Sequence, residues 1–405
     1  MTRSVILIPD AITGADSGAV AARTAARLIS ELGWRVIVFA NCSDVDPVSV
    51  CGFEIAPRPP SSARDHIFGS RQTSALDLLL DSTHATSVFF LGTMYSKAAG
   101  LFRVCRKRGV RTIAMPWAQD VYCNRFYAAL EDGPCERCLS GTFLPALRNR
   151  CSYGADKSLI AIASASAVRT ILRSELLRCN ILLASTDKQL QIFNRLGATP
   201  DQAIKCPLFF DRSRTDTAVS PSSDGQYFVC YGQSRMEKGW HLLARIVEAS
   251  GSRFVLPFMD ESIARNAVAQ FGLAPLVASG QVEIRTNLSW DTGVKEIVAQ
   301  SRGVLIPSLW PTTTEFTLLE SLGLGKPVIA FDVGIHSEVL RHRENGMLAP
   351  VGDPITAGNH IREVDLDASL RSRVSRGARQ LFDDLTSRTT YLRALEKVFE
   401  ASGLQ

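Results

Sequence analysis

The chain has 405 residues, enough for two domains of ordinary size that each bury a core. Lysine and arginine total 45 against 40 aspartate and glutamate residues, and because the basic residues are scattered, the charge does not favour a nucleic-acid-binding protein. The first apolar run is too short for a signal peptide, and no run is long enough to cross a membrane, so we expect a cytoplasmic protein. In that compartment its ten cysteines are expected to be reduced or to bind a metal.

The first elements form a β-α-β pattern. A strand at residues 5–9, a small-residue loop at 14–18, an amphipathic helix at 19–32 and a strand at 35–40 follow one another. A glycine loop at a helix start is a candidate ligand loop. The loop lacks the G-x-G-x-x-G spacing, however, so a plain strand-to-helix turn is the alternative.

The next part of the chain carries candidate surface and cleft residues. After an irregular Pro- and Ser-rich stretch at 46–63, a strand at 87–91 leads to a basic helix at 97–108, with cationic side chains Lys97, Arg103, Arg106, Lys107 and Arg108. This cluster could face an anionic acceptor or the acidic leaflet of a membrane, and a solvated helix face is the alternative. Gln119 and Asp120 follow the strand at 110–115, at the edge where parallel sheets bind ligands, so both are cleft candidates.

Four cysteines lie within a segment that has little core material of its own. They are Cys123, Cys135, Cys138 and Cys151, with eleven, two and twelve residues between them. Because four thiolates close a tetrahedral structural site, the spacing predicts a structural zinc site. Four unlinked thiols are the alternative.

The rest of the chain predicts a linker and a second domain. Residues 159–177 and 187–197 are predicted helices around a strand at 181–185, and residues 212–225, rich in Ser, Thr and Asp, are the predicted linker. The second domain repeats β-α units, which predicts a doubly wound parallel sheet. Its predicted strands are residues 226–231, 254–258, 282–285, 303–307 and 328–331.

The predicted domain bounds follow from this division. The first domain covers residues 1–212 with the Cys-rich insert at 123–151, and the second covers 226–385. A terminal helix within residues 386–405 is expected to pack back towards the first domain.

Two loops of the second domain carry candidate phosphate ligands. The loop at 232–239 offers Lys238 as a point charge and Arg235 as a fork donor. In the other loop, Thr312 and Glu315 have the spacing of a capping box, which predicts a helix that starts at Thr312. The first amides of such a helix would bind an anion such as a diphosphate, whereas an ordinary amphipathic helix is the alternative.

With these loops placed, the chain resembles retaining family 4 glycosyltransferases of the GT-B fold. The resemblance rests on five stretches from both domains, residues 14–18, 181–185, 231–239, 307–331 and 332–346. It implies an α/β protein with two Rossmann-like doubly wound domains facing a central cleft. The resemblance assigns Lys238 to the donor diphosphate and Glu320, the second of the family's paired glutamates, to the donor ribose.

The chain departs from the family pattern at three positions. Thr312 stands where the family has its first glutamate, and Gln119, beside Asp120, stands where the family has a histidine. Gln233 replaces an arginine, whose role Arg235 could take. These differences bear on the donor sugar and on catalysis, while nucleotide binding is still expected.

The resemblance implies transfer of a sugar, with retention, from a UDP- or GDP-sugar to a glycan, lipid-linked or small-molecule acceptor, without a catalytic metal. The pathway would be glycan, polysaccharide or glycoconjugate biosynthesis, in the cytoplasm or at the inner face of the membrane. Two alternatives are a nucleotide-sugar-binding protein that has lost transfer and a GT-B epimerase. The expected catalytic residues are Lys238, Arg235, Asp120 and Gln119, and the expected donor-binding residues are Gly18, Gly232, Thr312, Thr313, Thr314, Glu315, Thr317 and Glu320.

Overall fold

The structure is a computed structural model of the 405-residue chain. It describes residues 3–14, 16–41, 53–60, 70–94, 97, 99–117, 119–130, 133–152, 156–217, 222, 225–313 and 315–400. The chain divides into two compact units. The first unit comprises Met1–Ala128, Glu136–Asp211 and Arg388–Gln405, and the second comprises Ala129–Cys135 and Arg212–Ser387.

The elements alternate between strands and helices along most of the described chain. The strands are β1 (Ser4–Ile8), β2 (Arg35–Asn41), β3 (Glu54–Arg58), β4 (Ser87–Gly92), β5 (Arg111–Pro116), β6 (Ala129–Leu130), β7 (Gly133–Pro134), β8 (Ile181–Ala184), β9 (Ala203–Lys205), β10 (Phe228–Val229), β11 (Phe254–Pro257), β12 (Val282–Arg285), β13 (Gly303–Ile306), β14 (Val328–Phe331) and β15 (Met347–Ala349). The helices are α1 (Ser17–Glu31), α2 (Ser70–Thr83), α3 (Ala99–Lys107), α4 (Leu144–Arg148), α5 (Leu159–Leu176), α6 (Asp187–Leu196), α7 (Leu243–Ser250), α8 (Glu261–Gln270), α9 (Ala274–Ala278), α10 (Val294–Ala299), α11 (Phe316–Gly323), α12 (Ile335–Val339), α13 (Pro354–Leu366), α14 (Ala368–Leu385) and α15 (Arg388–Glu400).

The sheet of the first unit is parallel, with strand order β3-β2-β1-β4-β5-β8-β9. Its central strands β1 and β4 are buried along their whole length, as expected for strands covered by helices on both faces. The strand order reverses between β1 and β4, so the loops after these two strands border the crevice where such sheets bind ligands.

The sheet of the second unit repeats this plan. Its strand order is β12-β11-β10-β13-β14-β15, and all neighbours are parallel. The order reverses between β10 and β13. The loops after these strands, residues 230–239 and 307–315, therefore lie at the crevice of this unit. The predicted α/β class with two doubly wound parallel sheets is confirmed.

The structure differs from the predicted elements at several places, among them an edge strand and the first strand of the second unit. Strand β3 was missed, because its segment was interpreted as irregular from its proline content; β3 pairs only with β2 at the sheet edge, where Pro57 is tolerated. The strand predicted at 226–231 is confined to Phe228–Val229. None of the helices within the described part of the chain is long and apolar enough to cross a membrane.

The predicted basic helix is ion-paired. Arg103 and Arg106 contact the Glu175 carboxylate at 2.8 and 2.7 Å, and Arg108 contacts Asp77 and Asp81, each at 2.7 Å. Lys97 precedes α3 and is buried. Most of the charge that suggested a membrane surface is therefore neutralised by acidic neighbours.

Candidate functional site

The two loops at the crevice of the second unit pack main chain against main chain. Gly239 has a φ of +73°, and a Cβ atom there would lie 1.8 Å from the carbonyl oxygen of Pro307. The amide of Leu309 donates to the carbonyl oxygen of Glu237 at 3.0 Å. Only glycine permits this approach, so the sequence Lys238-Gly239 fixes the basic loop against the loop that follows β13.

Lys238 is held by an acidic side chain from the neighbouring loop. Its Nζ lies 2.7 Å from the Glu315 carboxylate and 5.1 Å from the centre of the Trp310 ring. The other Glu315 oxygen accepts from the Ser308 hydroxyl at 3.4 Å. These contacts fix the ammonium group of Lys238 at the crevice of the second unit.

The helix expected at Thr312 begins later in the structure, so this prediction is wrong. Helix α11 begins at Phe316, Glu315 is its N-cap residue, and no side chain caps it. The Glu315 carboxylate binds Lys238 instead of the Thr312 main chain, and consecutive β-branched threonines disfavour a first helical turn. Thr313 therefore lies outside the helix, and Thr314 lies outside the described residues.

Thr312 and Thr313 are buried against the turn that follows β14. The Thr312 carbonyl accepts from the Ile335 amide at 2.9 Å, and a Cβ on Gly334 would lie 2.6 Å from the Thr312 nitrogen. His336 is also buried in this turn, where burial lowers the pKa of its imidazole. Thr312 thus stabilises the loop. Its hydroxyl is not a carboxylate and does not replace the glutamate that the resemblance expects at this position.

Glu320 is the centre of a polar network on α11. Arg214 donates to its Oε1 through Nε at 3.2 Å and Nη2 at 2.6 Å, and the Tyr231 hydroxyl lies 3.3 Å from its Oε2. Burial raises the pKa of Glu320, and Arg214 opposes that rise. Burial and the Glu320 charge raise the pKa of Tyr231, so its phenol stays protonated and can donate.

Trp290 completes the surroundings of Arg214. Its ring stacks on Tyr231 with centroids 5.8 Å apart, and its Nε1 donates to the Arg214 carbonyl oxygen at 2.8 Å. The Arg214 guanidinium lies 5.7 Å from the Trp290 ring and 5.8 Å from the Phe316 ring. These contacts hold the arginine in one orientation against Glu320.

Three other predicted residues of this unit surround the same loops. Gly232 has a φ of +106°, and a Cβ there would lie 3.8 Å from the Thr317 hydroxyl. Arg235 is exposed and lies 3.3 Å from the Glu237 carboxylate. Thr317 is in the first turn of α11, and its carbonyl lies 3.3 Å from the Tyr231 hydroxyl.

The predicted residues of the first unit lie at the carboxyl edge of its sheet. Gln119 and Asp120 follow β5 and are buried. Gly18 is in the first turn of α1, where its amide donates to the Asp16 carboxylate at 2.9 Å. The Asp16 side chain therefore already caps the helix end at which the sequence predicted binding of the sugar donor.

A buried ion pair at this edge was not found from the sequence. Lys97 is 0 % exposed, and its Nζ lies 2.7 Å from Asp10 Oδ1 and 3.0 Å from the Thr93 carbonyl oxygen. Asp10 Oδ2 accepts from the Thr93 amide at 2.7 Å. Burial lowers the pKa of Lys97, while Asp10 opposes the change and Asp120 also favours the charged form. The pair ties the loop after β1 to the loop after β4.

The four cysteines do not assemble as predicted. Burial raises the pKa of the Cys123 thiol to about 11. No group of three or more potential ligands is placed to hold a metal among the residues that the structure describes. The arrangement thus does not fit a zinc site.

Arg214, Tyr231 and Trp290 contact this site but were not among the predicted site residues. Arg214 lay in the predicted linker, where a 3₁₀ turn at Arg212–Thr215 now packs on the second unit. Tyr231 was counted only as the end of a strand. The polar stripe of Thr317 and Glu320 on α11 was a signal for a buried partner, but its identity depends on the tertiary fold.

Comparisons with known proteins agree with this geometry. The sequence profile of the family described as Glycosyl transferases group 1 matches residues 226–364, which include the two loops, Glu320 and Trp290. A search of curated proteins found no match.

Solved structures resemble the whole chain. HepE of Anabaena in complex with UDP is 12 % identical, with a TM-score of 0.69 over 98 % of this chain and 100 % of that one. Sucrose-phosphate synthase of Thermosynechococcus elongatus is 12 % identical, with a TM-score of 0.73 over 98 % of both chains. A glycosyltransferase from Rickettsia africae is 12 % identical, with a TM-score of 0.69 over 99 % of this chain and 98 % of that one.

The chain has the GT-B fold. At these identities the likeness shows the fold alone, while the segment that matches the Glycosyl transferases group 1 profile contains the Lys238 loop and α11.

Proposed function

We propose that the protein is a retaining glycosyltransferase that transfers a hexosyl or related group from a nucleoside diphosphate sugar to an acceptor. The observation that carries the proposal is that Lys238 pairs with Glu315, the N-cap residue of α11, and that the same helix carries Glu320 at the crevice of the second unit, inside the matched segment. The complexes of HepE with UDP and with UDP-glucose favour a UDP-sugar as the donor.

The departing diphosphate is the group that this site would stabilise. As the glycosidic bond breaks, negative charge develops on the leaving phosphate oxygens, and a fixed cation stabilises that charge without reorganisation. Lys238 supplies such a cation, and Arg235 is an exposed second cation on the same loop. The Thr313 amide and the amides that open α11 would add neutral donors.

Glu320 and Thr317 are proposed to hold the ribose. A carboxylate accepts two hydroxyl hydrogen bonds well, and the first turns of α11 present both side chains near the Gly232 loop. Gln119 and Asp120 are proposed as catalytic residues and Gly18 as a donor-binding residue. The reaction is proposed to take place in the cytoplasm or at the inner face of a membrane. A glycan, lipid-linked or small-molecule acceptor fits this proposal equally well.

Release of free UDP or GDP from a panel of nucleotide sugars, with and without acceptors, tests transfer. Wild-type protein should release nucleotide only with an acceptor, and NMR of the product should show the anomeric configuration of the donor. Lys238→Ala and Glu320→Ala should both slow transfer, and rates near wild type in both would refute the assignment.

One specific feature favours a second candidate, a nucleotide-sugar-binding protein that has lost transfer. Thr312 is buried in the loop where the family has a glutamate, and Glu315 is engaged by Lys238. Nucleotide binding without turnover on any acceptor would support this candidate. Product formation without an acceptor would instead indicate the epimerase.

The zinc prediction needs a separate measurement. Metal analysis of purified protein should return well under one equivalent of zinc if the thiols stay apart as in the described structure. Binding of one equivalent of zinc would support the zinc site that was predicted from the cysteine spacing.

A further inference from the structure

Arg214 is the least expected member of the site. Its side chain leaves the turn at Arg212–Thr215 and makes two hydrogen bonds to Oε1 of Glu320. Both side chains are largely removed from water, with 11 % and 6 % of their surface exposed. An arginine that reaches a buried carboxylate with two donors is a strong, geometrically specific partner.

The network leaves one oxygen of Glu320 available. Both Arg214 bonds end on Oε1, whereas Oε2 has only the Tyr231 hydroxyl, at 3.3 Å. That hydroxyl has one proton and lies equally close to the Thr317 carbonyl oxygen. A carboxylate oxygen has two acceptor positions, so Oε2 keeps capacity for a ligand hydroxyl.

We propose that Arg214 is a positioning residue that keeps Glu320 as an oriented carboxylate, so that Oε2 can accept a hydrogen bond from a ribose hydroxyl of the bound nucleotide. This inference rests on the proposed function, because it takes the ligand to be a nucleoside diphosphate. It predicts that Arg214 contributes to recognition of the ribose without touching it.

The electrostatics support this role. Burial raises the pKa of Glu320, and Asp291 adds to that rise, whereas Arg214 and the Tyr231 hydroxyl oppose it. Without the guanidinium, burial and Asp291 favour the protonated acid. A neutral acid accepts a weaker hydrogen bond from a ribose hydroxyl than a carboxylate does.

The test compares a nucleoside diphosphate with its 2′,3′-dideoxy analogue by isothermal titration calorimetry. UDP and GDP are first titrated into the full-length wild-type protein to find the nucleotide that binds. The ribose ratio is then the Kd of the dideoxy analogue divided by the Kd of the parent. In wild type the ratio should be about ten or more, since a hydrogen bond to a charged group is lost.

Variants separate positioning from a merely structural role. Glu320→Gln should bring the ratio close to about one. Arg214→Met should lower the ratio in the same way, and its ratio should recover as the pH is raised, because a higher pH favours the ionised form of Glu320. Arg214→Gln should behave like Arg214→Met, which keeps the test available if one variant fails to fold. Arg214→Lys retains the charge and should keep a ratio independent of pH.

Arg302→Met is the matched control. Arg302 pairs with Asp365 at the amino end of β13, the edge of the sheet away from the nucleotide loops. Its loss should lower stability and leave the ribose ratio unchanged. If Arg214→Met and Arg214→Gln weaken both nucleotides equally, so that the ratio and its pH dependence match wild type, the inference is overturned.

The outcome also separates this inference from the proposed function. If wild type binds neither UDP nor GDP, the proposed function fails together with the inference. If wild type binds a nucleotide but does not discriminate the dideoxy analogue, the inference and the assignment of Glu320 to the ribose fail, whereas nucleotide binding at this unit stands.

Discussion

Removing the carboxylate from the buried pair of the first unit should be far more costly than removing its lysine. Asp10→Asn keeps an acceptor for the Thr93 amide but removes the negative charge that lies 2.7 Å from the Lys97 ammonium, which is 0 % exposed. Removing one partner of a buried ion pair costs about 3–5 kcal/mol of unfolding free energy. Lys97→Met leaves a carboxylate that is 26 % exposed and still bonded to an amide, so we expect a loss of about 1–2 kcal/mol.

The double variant is the decisive measurement. Asp10→Asn with Lys97→Met removes both charges of this pair, so its loss should be close to that of Lys97→Met alone. The loss can be measured by urea unfolding, with hydrogen exchange of β1 and β4 to follow the first unit, because two units can unfold separately. If the two single losses add in the double variant, or if Asp10→Asn costs no more than Lys97→Met, the reasoning is wrong.

The same pair predicts a pH dependence. The pKa of Lys97 is lowered in the folded state, so the unfolded chain binds more protons below the usual lysine pKa. Stability should therefore rise with pH through that window, and more steeply in Asp10→Asn, which has lost the counterion. A stability profile of Asp10→Asn that is flat towards alkaline pH would contradict this expectation.

Gly239→Ala should lower the unfolding free energy by more than about 2 kcal/mol and abolish nucleotide binding, because its Cβ would lie 1.8 Å from the Pro307 carbonyl oxygen. Gly251→Ala is the control, since Gly251 has a similar φ of +68° and no atom within 4 Å of the added Cβ. It should cost only about 1 kcal/mol, as measured by thermal unfolding. Equal losses in the two variants would show that the close approach does not matter. Burial alone would raise the pKa of Glu175, but hydrogen bonds from two arginines outweigh burial and lower it. The stability that this carboxylate contributes is therefore present above its unfolded pKa of about 4.3 and is lost as the pH falls. Glu175→Gln should therefore lose roughly 1.5–3 kcal/mol at neutral pH and little near about pH 3, and a loss of the same size at both pH values would refute the ionic assignment.

The fold could be predicted from the sequence because the strands are buried apolar runs with regular spacing. Strands β11 and β13, for example, contain no charged residue and are buried along their whole length. The edge strand β3 escaped prediction because half-burial at an edge tolerates proline and leaves no clear alternation. The local sequence pattern therefore predicts the central strands but does not identify the edge strand.

The site was predictable only where one loop carried its own signal. Lys238 could be proposed because a basic residue precedes a glycine between a strand and a helix. Arg214 could not, because its partner Glu320 lies 106 residues away along the chain. The predicted capping box does not form for a related reason. Glu315 pairs with Lys238, 77 residues away along the chain, and does not cap its own helix.

Binding of a nucleoside diphosphate at the Lys238 loop tests the account most directly. UDP and GDP are titrated into wild type, Lys238→Met and the control Arg253→Met, whose arginine pairs with Glu283 at the amino end of β11. We expect one nucleotide to bind wild type and Arg253→Met equally, and Lys238→Met to bind it about tenfold or more weakly. Equal binding by Lys238→Met, or no binding by wild type, would contradict the account.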